Sequence, residues 1–397
     1  MNDYRATGKR KKQQPVACLY GGIGMVNSER LTGEFLELVR IDSVSGFERQ
    51  VADLIREKLQ SLGFEVYEDE TGQKINTGTG NIVARLPGKL AGAAPVMFCA
   101  HMDTVEPGRG VVPVVEGGVV KSSGNTVLGG DNKAGIAIIL EAVRVLKESG
   151  ISHGDLEVVL TVFEEGGLLG AANLDPGLIK SRMAYVLDSD GPPGTVVTSA
   201  PTQDRITATI RGKSAHAGIC PEKGINAIKV AAGAISAMNL GRIDGETTAN
   251  IGIISGGKAT NIVPDSVLVQ GETRSLDGAK KDQQTRDIVE KIKAAAAESG
   301  ATADVRVENL YNNFRIDHHD RVVRIAVEAA ENIGLTPRLE STGGGSDANM
   351  FNEKGITAVI LGIAMQNVHT TEEFIKIEDM VASCRYLVEI IKVAGKY

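Results

Sequence analysis

The sequence has few aromatic residues. Tryptophan is absent from the 397 residues, and Phe, Trp and Tyr together make up only 4% of the chain. The core therefore has to be built mainly from Ala, Val, Ile and Leu, and 47 glycines predict many tight turns. No apolar run reaches the length of a membrane-spanning helix, so we expect no membrane association of that kind.

Cysteine is also scarce. The four cysteines are scattered along the chain, and no two form a CxxC pair. This pattern is typical of reduced thiols, so we expect a cytoplasmic protein. Cys99 and Cys384 lie in apolar runs without the His and Asn context of a catalytic thiol, and we expect both to fill space in the core.

The chain after residue 24 has no excess of positive charge. The formal net charge is −7, whereas residues 1–24 carry one acid against five bases and have a balance of +4, so the rest carries −11. An acidic body argues against nucleic acid as a partner. We expect residues 1–24 to form a basic, disordered leader outside the folded protein.

Strand-like and helix-like runs alternate along the chain, which predicts an α/β fold with a mixed sheet flanked by helices. One of the predicted helices lies near 168–181. The order of the predicted helices and strands changes after residue 200, where they follow the βαββαβ order of a ferredoxin-like unit. Such a unit needs its own core, so we predict an α+β domain inserted at 201–310 into a first domain made of residues 25–200 and 311–397.

Chemically active residue types gather where the predicted strands end. The segment "FCAHMDTV" puts His101 and Asp103 on the same side of an extended chain, where an acid can orient a His. The segment "LGGDNKAG" puts Asp131 in a glycine-rich helix start, where backbone N–H groups support an anion. Asp188 in "VLDSDG" and His369 in "NVHTTEEF" follow two further apolar runs.

Two adjacent carboxylates, Glu164 and Glu165, follow the predicted strand at 156–162 in the segment "FEEGGLLGA". Neighbouring carboxylates repel one another and are costly to bury without a partner. In an open α/β sheet, functional groups collect at the carboxyl ends of the strands. The whole set could supply about three ligands to each of two zinc-like ions, with one carboxylate shared and Glu164 left free as a base.

With these motifs in this order around an inserted domain with "GKSAHAG", the chain resembles the dinuclear zinc peptidases. This family includes peptidase T, carboxypeptidase G and acetylornithine deacetylase, and the resemblance covers residues 26–397 and is greatest to the peptidase T-like branch. It implies that Asp131 bridges two divalent metal ions. His101 and Asp188 would complete one ion, and Glu165 and His369 would complete the other.

The resemblance also implies the roles of the neighbouring residues. Asp103 would orient His101, and Glu164 would be the general base. A cis peptide bond is expected between Asp131 and Asn132. The two ions are expected to be zinc, with cobalt and manganese left open.

The inserted domain would act as a lid over the substrate. By resemblance, His216 in "GKSAHAG" would stabilise the oxyanion, Asn250 in "TTANIG" would hold the substrate, and Arg274 in "GETRS" would bind its carboxylate. An arginine suits the last role because its guanidinium group can make two parallel hydrogen bonds. The family often pairs through this domain, so a homodimer is a further expectation.

Three hypotheses on function stay open at this point. The first is an aminopeptidase that acts on short peptides in the manner of a tripeptidase. The second is a carboxypeptidase or an N-acyl-amino-acid deacylase with the same two metals, and the third is a non-catalytic binding or scaffold protein. Asp188 favours the first, because the family has Asp at this position in aminopeptidases and more often Glu in the other enzymes.

Overall fold

The computed structural model describes residues 26–397, so the leader predicted at 1–24 lies outside the described residues. Within this range the helices are, in chain order, α1 Ser28–Val39, α2 Arg49–Ser61, α3 Thr71–Lys74, α4 Gly130–Glu148, α5 Leu169–Asn173, α6 Ala227–Ser236, α7 Gly278–Glu298, α8 Arg321–Asn332, α9 Asp347–Glu353 and α10 Ile377–Ala394. The strands are β1 Glu65–Glu68, β2 Ile82–Leu86, β3 Val96–His101, β4 Pro113–Glu116, β5 Val119–Ser122, β6 Leu156–Thr161, β7 Met183–Ser189, β8 Thr195–Ala200, β9 Thr202–Arg211, β10 Gly241–Arg242, β11 Thr247–Gly256, β12 Ser266–Ser275, β13 Thr302–Tyr311, β14 Phe314–Arg315, β15 Arg338–Ser341, β16 Thr357–Gly362 and β17 Phe374–Lys376.

A nine-stranded mixed sheet forms the larger body, with the order β1-β2-β6-β3-β7-β16-β8-β14 and β15 beside β8. Its four central strands, β6, β3, β7 and β16, are parallel. Parallel strands present their carboxyl ends at one edge of the sheet, and ligand sites of open α/β sheets form at that edge. The predicted α/β fold with a mixed sheet is confirmed.

Helices cover both faces of this sheet. The strand β3 requires this cover, because its side chains are buried on both faces. Phe98 and Ala100 point into the core that also contains residues of α1, α4, α8 and α10, whereas Met97 and Cys99 point into the core on the α5 and α9 side. The strand is buried at all six positions, because side chains alternate between two covered faces. The sheet edge is therefore held between two packed layers.

A second sheet has the order β10-β11-β12-β9-β13 and is antiparallel throughout. The helices α6 and α7 cover one face of it and share a separate hydrophobic core with its strands. Apart from the short β10, this is the strand order of a ferredoxin-like unit, so the predicted α+β element is confirmed. The bounds 201–310 for an inserted domain stay a prediction.

The helix predicted near 168–181 is wrong in its length. Only Leu169–Asn173 are α-helical, and a single 3₁₀ turn follows at Pro176–Leu178. The apolar spacing continues, but proline cannot extend the preceding helix, and the Asp175 side chain caps the new turn through the Gly177 N–H. No helix within residues 26–397 is long and apolar enough to cross a membrane.

Candidate metal centre

The carboxyl ends of the central strands bring five side chains together. His101 is the last residue of β3, Asp188 lies near the end of β7, and Glu165 follows β6. Asp131 lies at the start of α4, and His369 lies on the loop between β16 and β17. All five residues expected to bind metal therefore lie at one edge of the sheet.

His101 is buried, with 2% of its surface exposed. Its Nδ1 lies 2.8 Å from the backbone oxygen of Asp103, and its Nε2 lies 3.0 Å from Asp131 Oδ1. Asp188 Oδ1 is 3.6 Å from the same Nε2. Burial lowers the pKa of His101, but the surrounding carboxylates outweigh burial and hold this pKa well above its ordinary value. A hydrogen bond from Nδ1 to the carbonyl would leave Nε2 as the ligand atom.

His369 forms a second, similar group. Its Nε2 lies 2.9 Å from Glu165 Oε1 and 3.3 Å from Asp131 Oδ2. The hydrogen bonds to Asp131 and Glu165 raise the pKa of His369 to about 10, since both carboxylates favour the charged ring. Half of this side chain is exposed, so the second group is the more accessible one.

Asp131 links the two groups, because its two oxygens face different histidines. Burial raises the pKa of this carboxyl group, but the hydrogen bonds from His101 and His369 outweigh burial and lower it. The peptide bond between Asp131 and Asn132 is cis, as expected, and Asn132 Nδ2 donates to Asp188 Oδ1 at 3.0 Å. A carboxylate with one oxygen facing the His101 group and the other facing the His369 group has the geometry needed to bridge two metal ions.

The donor set fits divalent metal ions. One atom each from His101, Asp131 and Glu165 lie within 4.8 Å of one another. The side chains of Asp131, Asp188 and Glu165 are only 13%, 8% and 9% exposed. Carboxylates packed so closely away from water need cations beside them, and imidazole nitrogen with carboxylate oxygen suits zinc, cobalt or manganese.

Asp103 is fully buried and holds the loop that carries the two glutamates. Its Oδ1 accepts from the backbone N–H of Glu164 at 2.9 Å, and its Oδ2 accepts from that of Glu165 at 3.1 Å. The Ser45 hydroxyl donates to Oδ2 at 2.6 Å. The Asp103 carboxylate is 3.6 Å from His101 Nδ1, so it is the backbone oxygen of Asp103 that makes the shorter contact with the imidazole.

Glu164 lies beside the cluster and is 8% exposed. Within residues 26–397 its carboxylate takes part in no hydrogen bond or ion pair, whereas that of Glu165 contacts His369. Burial raises the pKa of Glu164 well above its ordinary value, and the charges of Asp188 and Glu165 add to this effect. A raised pKa makes the ionised carboxyl group a better proton acceptor.

Two of the residues expected to bind substrate, Asn250 and Arg274, lie on the outer face of the second sheet. Asn250 is directly opposite Glu272 across β11 and β12 and shares its face with Arg274. Arg274 donates from Nε and Nη2 to the two oxygens of Glu272 at 2.9 and 3.1 Å, and its Nη1 is 3.5 Å from the Gly343 oxygen. Gln203 Nε2 donates to the same Glu272 carboxylate at 2.7 Å. Arg274 thus extends from the second sheet to the loop between β15 and α9, which contains Gly343.

His216 is not brought to the metal cluster. It is exposed, and its Nδ1 accepts from the Gly218 N–H at 3.2 Å. No hydrogen bond or ion pair among the described residues connects its ring to the five ligand candidates.

Buried carboxylates around the cluster were missed by the sequence analysis. Glu48 accepts from the N–H groups of Gly46 and Phe163, and Glu373 accepts from three N–H groups at the start of α4. The anion that the N–H groups of this glycine-rich segment bind is therefore the Glu373 carboxylate, whereas the Asp131 carboxylate contacts the two histidines. The only signal for Glu373 was its place in the quoted segment "NVHTTEEF".

A carboxylate–imidazole cluster that could hold metal ions lies at the carboxyl edge of this sheet, with a ferredoxin-like sheet beside it, and this combination is typical of a family of metal-binding peptidases. The chain belongs to peptidase family M20/M25/M40, whose family model matches residues 97–393.

Three similar proteins place the chain in the peptidase T-like branch of this family. The uncharacterized protein YqjE of Bacillus subtilis (strain 168) is 46% identical over 94% of this chain and 100% of its own length. The crystal structure of aminopeptidase PepT from Bacillus cereus ATCC 10987 is 46% identical with a TM-score of 0.85 over 94% of this chain and 100% of that one. A tripeptidase from Staphylococcus aureus is 41% identical with a TM-score of 0.90 over the same shares.

Proposed function

We propose that this chain is an aminopeptidase that uses two divalent metal ions to release the N-terminal residue of short peptides. The observation that carries the proposal is the geometry of Asp131. Its two oxygens face two separate His–carboxylate groups, and the Glu164 carboxylate lies beside them without a hydrogen-bond partner among the described residues. This is the arrangement needed to hold two ions and to move a proton next to them.

The five side chains divide into two ligand groups in this proposal. His101 and Asp188 would hold one ion and Glu165 and His369 the other, with Asp131 common to both. Bound ions would polarise the peptide carbonyl and increase the acidity of water. Zinc is the proposed metal because it favours mixed nitrogen and oxygen ligands, and the same donors accept cobalt and manganese.

Glu164 is the proposed general base. Its carboxylate would accept the proton of the attacking water and return it to the leaving amine. Burial at the sheet edge supports this role, because it raises the pKa of the carboxyl group and so makes its ionised form a better proton acceptor. Asp103 supports it as well, since its hydrogen bonds to the Glu164 and Glu165 backbone fix which carboxylate turns to each side.

Short peptides are the proposed substrates. One similar structure is that of an aminopeptidase and another is that of a tripeptidase. Arg274 would bind the C-terminal carboxylate at a fixed distance from the metals, with Asn250 on the same sheet face. His216 could stabilise the oxyanion only after its exposed loop moves to the metal cluster. The acidic cluster would attract the free amine of the substrate.

A substrate panel with added metal tests the proposal. Tripeptides with a free amine should be cleaved at the first peptide bond, and acetylation of that amine should abolish most turnover. Better turnover of N-acyl amino acids, or of the last residue of a peptide, would replace the proposal with the deacylase or carboxypeptidase alternative. Binding of peptide without turnover by the metal-loaded protein would indicate a non-catalytic binding protein.

We also propose that residues 201–310 fold as an inserted lid domain and that this lid pairs two chains. Beyond Asn250, β11 hydrogen-bonds only to β12 among the described residues, and Ile253 and Ile254 on it are 51% and 52% exposed. A strand edge with exposed apolar residues favours association with another chain. Light scattering should give a dimer mass, and Ile253→Lys should give the monomer.

A further inference from the structure

Glu373 lies at the base of the loop whose tip carries His369. The backbone groups of Gln366 and Phe374 hydrogen-bond to each other at 3.0 and 3.1 Å and close this loop. The side chain of Glu373 turns inward and is 2% exposed, whereas its neighbour Glu372 is exposed and its side chain contacts no described residue by a hydrogen bond or ion pair. Two adjacent glutamates therefore have opposite environments.

The Glu373 carboxylate accepts three backbone hydrogen bonds from the glycine-rich segment before and within the first turn of α4. Oε2 accepts from the N–H of Leu128 at 2.7 Å and from that of Gly129 at 2.8 Å. Oε1 accepts from the N–H of Asp131 at 2.9 Å. Asp131 and Asn132 have non-helical backbone angles, so these N–H groups belong to the turn that leads into α4 and not to its regular part. Glu373 therefore holds this turn from a distant part of the chain.

Gly129 and Gly130, the first two of the three glycines in "LGGDNKAG", lie at this contact. Gly129 has a φ of +74°, a conformation that favours glycine. A Cβ on Gly130 would lie only 2.9 Å from Glu373 Oε1. The segment is thus shaped to accept a carboxylate from the His369 loop.

This contact fixes the bridging carboxylate relative to one of its partners. Glu373 holds the backbone of Asp131, and it lies four residues after His369, whose Nε2 is 3.3 Å from Asp131 Oδ2. The positions of the bridge and of this histidine therefore depend on the same side chain, although they are far apart in the sequence.

We propose that Glu373 is a positioning residue for the metal centre, which holds Asp131 at the distance from His369 that metal binding requires. This inference rests on the proposed function of the five ligands. Residues that orient metal ligands typically change metal affinity 10- to 100-fold when they are substituted. Glu373→Gln keeps the size of the side chain but presents an amide NH₂ to at least one backbone N–H, so Asp131 should be held less firmly.

The test compares Glu373→Gln with the adjacent control Glu372→Gln in the full chain. Zinc dissociation constants are measured by chelator competition without substrate, and melting temperatures are measured with and without zinc. Glu373→Gln should bind zinc about 10- to 100-fold more weakly. It should also lose much of the stabilisation that zinc gives, and its Co²⁺ absorption spectrum should change. Glu372→Gln should match the wild type in all three measurements.

A role in folding alone would lower both melting temperatures equally and leave zinc affinity and the Co²⁺ spectrum unchanged, which would overturn the inference. A wild type that binds no zinc would instead reject the proposed function. Should Glu373→Gln not fold, Glu373→Asp carries the test, because it keeps the charge and withdraws the carboxylate from the three N–H groups. Zinc binding by folded Glu373→Asp as tight as that of the wild type would equally overturn the inference.

Discussion

The metal cluster and the lid face differ in how firmly their functional side chains are held. In the cluster, both ring nitrogens of His101 have partners within 3.0 Å and the ring is buried. On the lid, His216 is exposed and accepts one hydrogen bond, from a residue two positions away. The cluster side chains hold one another in place, whereas His216 is held by a single local hydrogen bond.

Arg274 is intermediate between these two cases. Its Nε and Nη2 are occupied by Glu272, which fixes the guanidinium plane, while Nη1 has only a long contact of 3.5 Å to Gly343. The Nε and Nη2 edge of the guanidinium group is thus held by Glu272, and Nη1 is free to donate to a substrate carboxylate. We therefore expect substitutions in the metal cluster to change metal content and kcat, and substitutions on the lid to change KM.

The strongest test of this division is Asp131→Ala. Both ions would lose a ligand and would face each other without the shared negative charge, so metal content and activity should fall together to near background. Elemental analysis and turnover measure the effect. Asp190→Ala is the matched control, because Asp190 is an exposed acid at the same edge of the sheet. Two tightly bound metals per chain in Asp131→Ala would contradict the bridge.

The adjacent pair of glutamates gives the next largest effect. Glu164→Gln should keep both metals and lose about 10²-fold or more in kcat, because the amide cannot accept the proton. Glu165→Gln should lose metal as well as activity, because its carboxylate contacts His369. Near-normal turnover of metal-loaded Glu164→Gln would remove Glu164 from the mechanism.

A smaller effect is expected on the lid. Arg274→Ala should raise KM for tripeptides about 10-fold or more with a smaller change in kcat, since a hydrogen-bonded charge pair with the substrate is lost. Arg274→Lys should restore only part of the affinity, because lysine lacks two parallel donors. Arg306→Ala is the control, since Arg306 contacts Glu308 two residues away on the same sheet and is exposed. A change in kcat alone would place Arg274 outside substrate binding.

The same contrast explains what the sequence could predict. The buried strands are continuous apolar runs, so their ends, and with them His101, Asp188 and the pair Glu164 and Glu165, could be located from local pattern. The βαββαβ order of the lid was visible for the same reason. The helix near 168–181 was overestimated because its apolar spacing continues past Asn173, where Pro176 prevents an extension.

The supporting carboxylates could not be predicted in this way. Glu373 contacts N–H groups more than 240 positions earlier in the chain, and Glu48 contacts the N–H of Phe163 at a separation of 115. Such contacts depend on where the sheet places distant loops and leave no periodicity in the sequence. A buried acid that accepts backbone hydrogen bonds looks the same in the sequence as an exposed one, as Glu372 and Glu373 illustrate.

The smallest effect on activity is expected from Asp347, which is a supporting residue near the cluster. Its side chain is 1% exposed, Oδ2 accepts from the Thr161 hydroxyl, and Oδ1 has no partner among the described residues. Burial raises the pKa of Asp347 to about 7, and the charge of Asp188 adds to this effect. The folded protein therefore favours the protonated form, whereas the unfolded chain ionises near the ordinary value of 3.8.

The sign of the pH dependence follows from this difference. The folded state holds a proton that the unfolded state has released, so the contribution of Asp347 to stability is lost as the pH rises from about 4 to about 7 and then stays constant. Asp347→Asn is neutral at every pH and should be more stable than the wild type at pH 8, by up to about 4 kcal/mol, and close to it at pH 4. Denaturant unfolding of the metal-free proteins at several pH values measures this gap, with the exposed Asp190→Asn as the control.

Turnover of the metal-loaded variant should stay within a few fold of the wild type, since Asp347 holds neither metal nor substrate in the proposed mechanism. A gap that did not change with pH would mean that Asp347 is ionised in the folded protein, and its carboxylate would then belong with the charges that the metal ions have to balance.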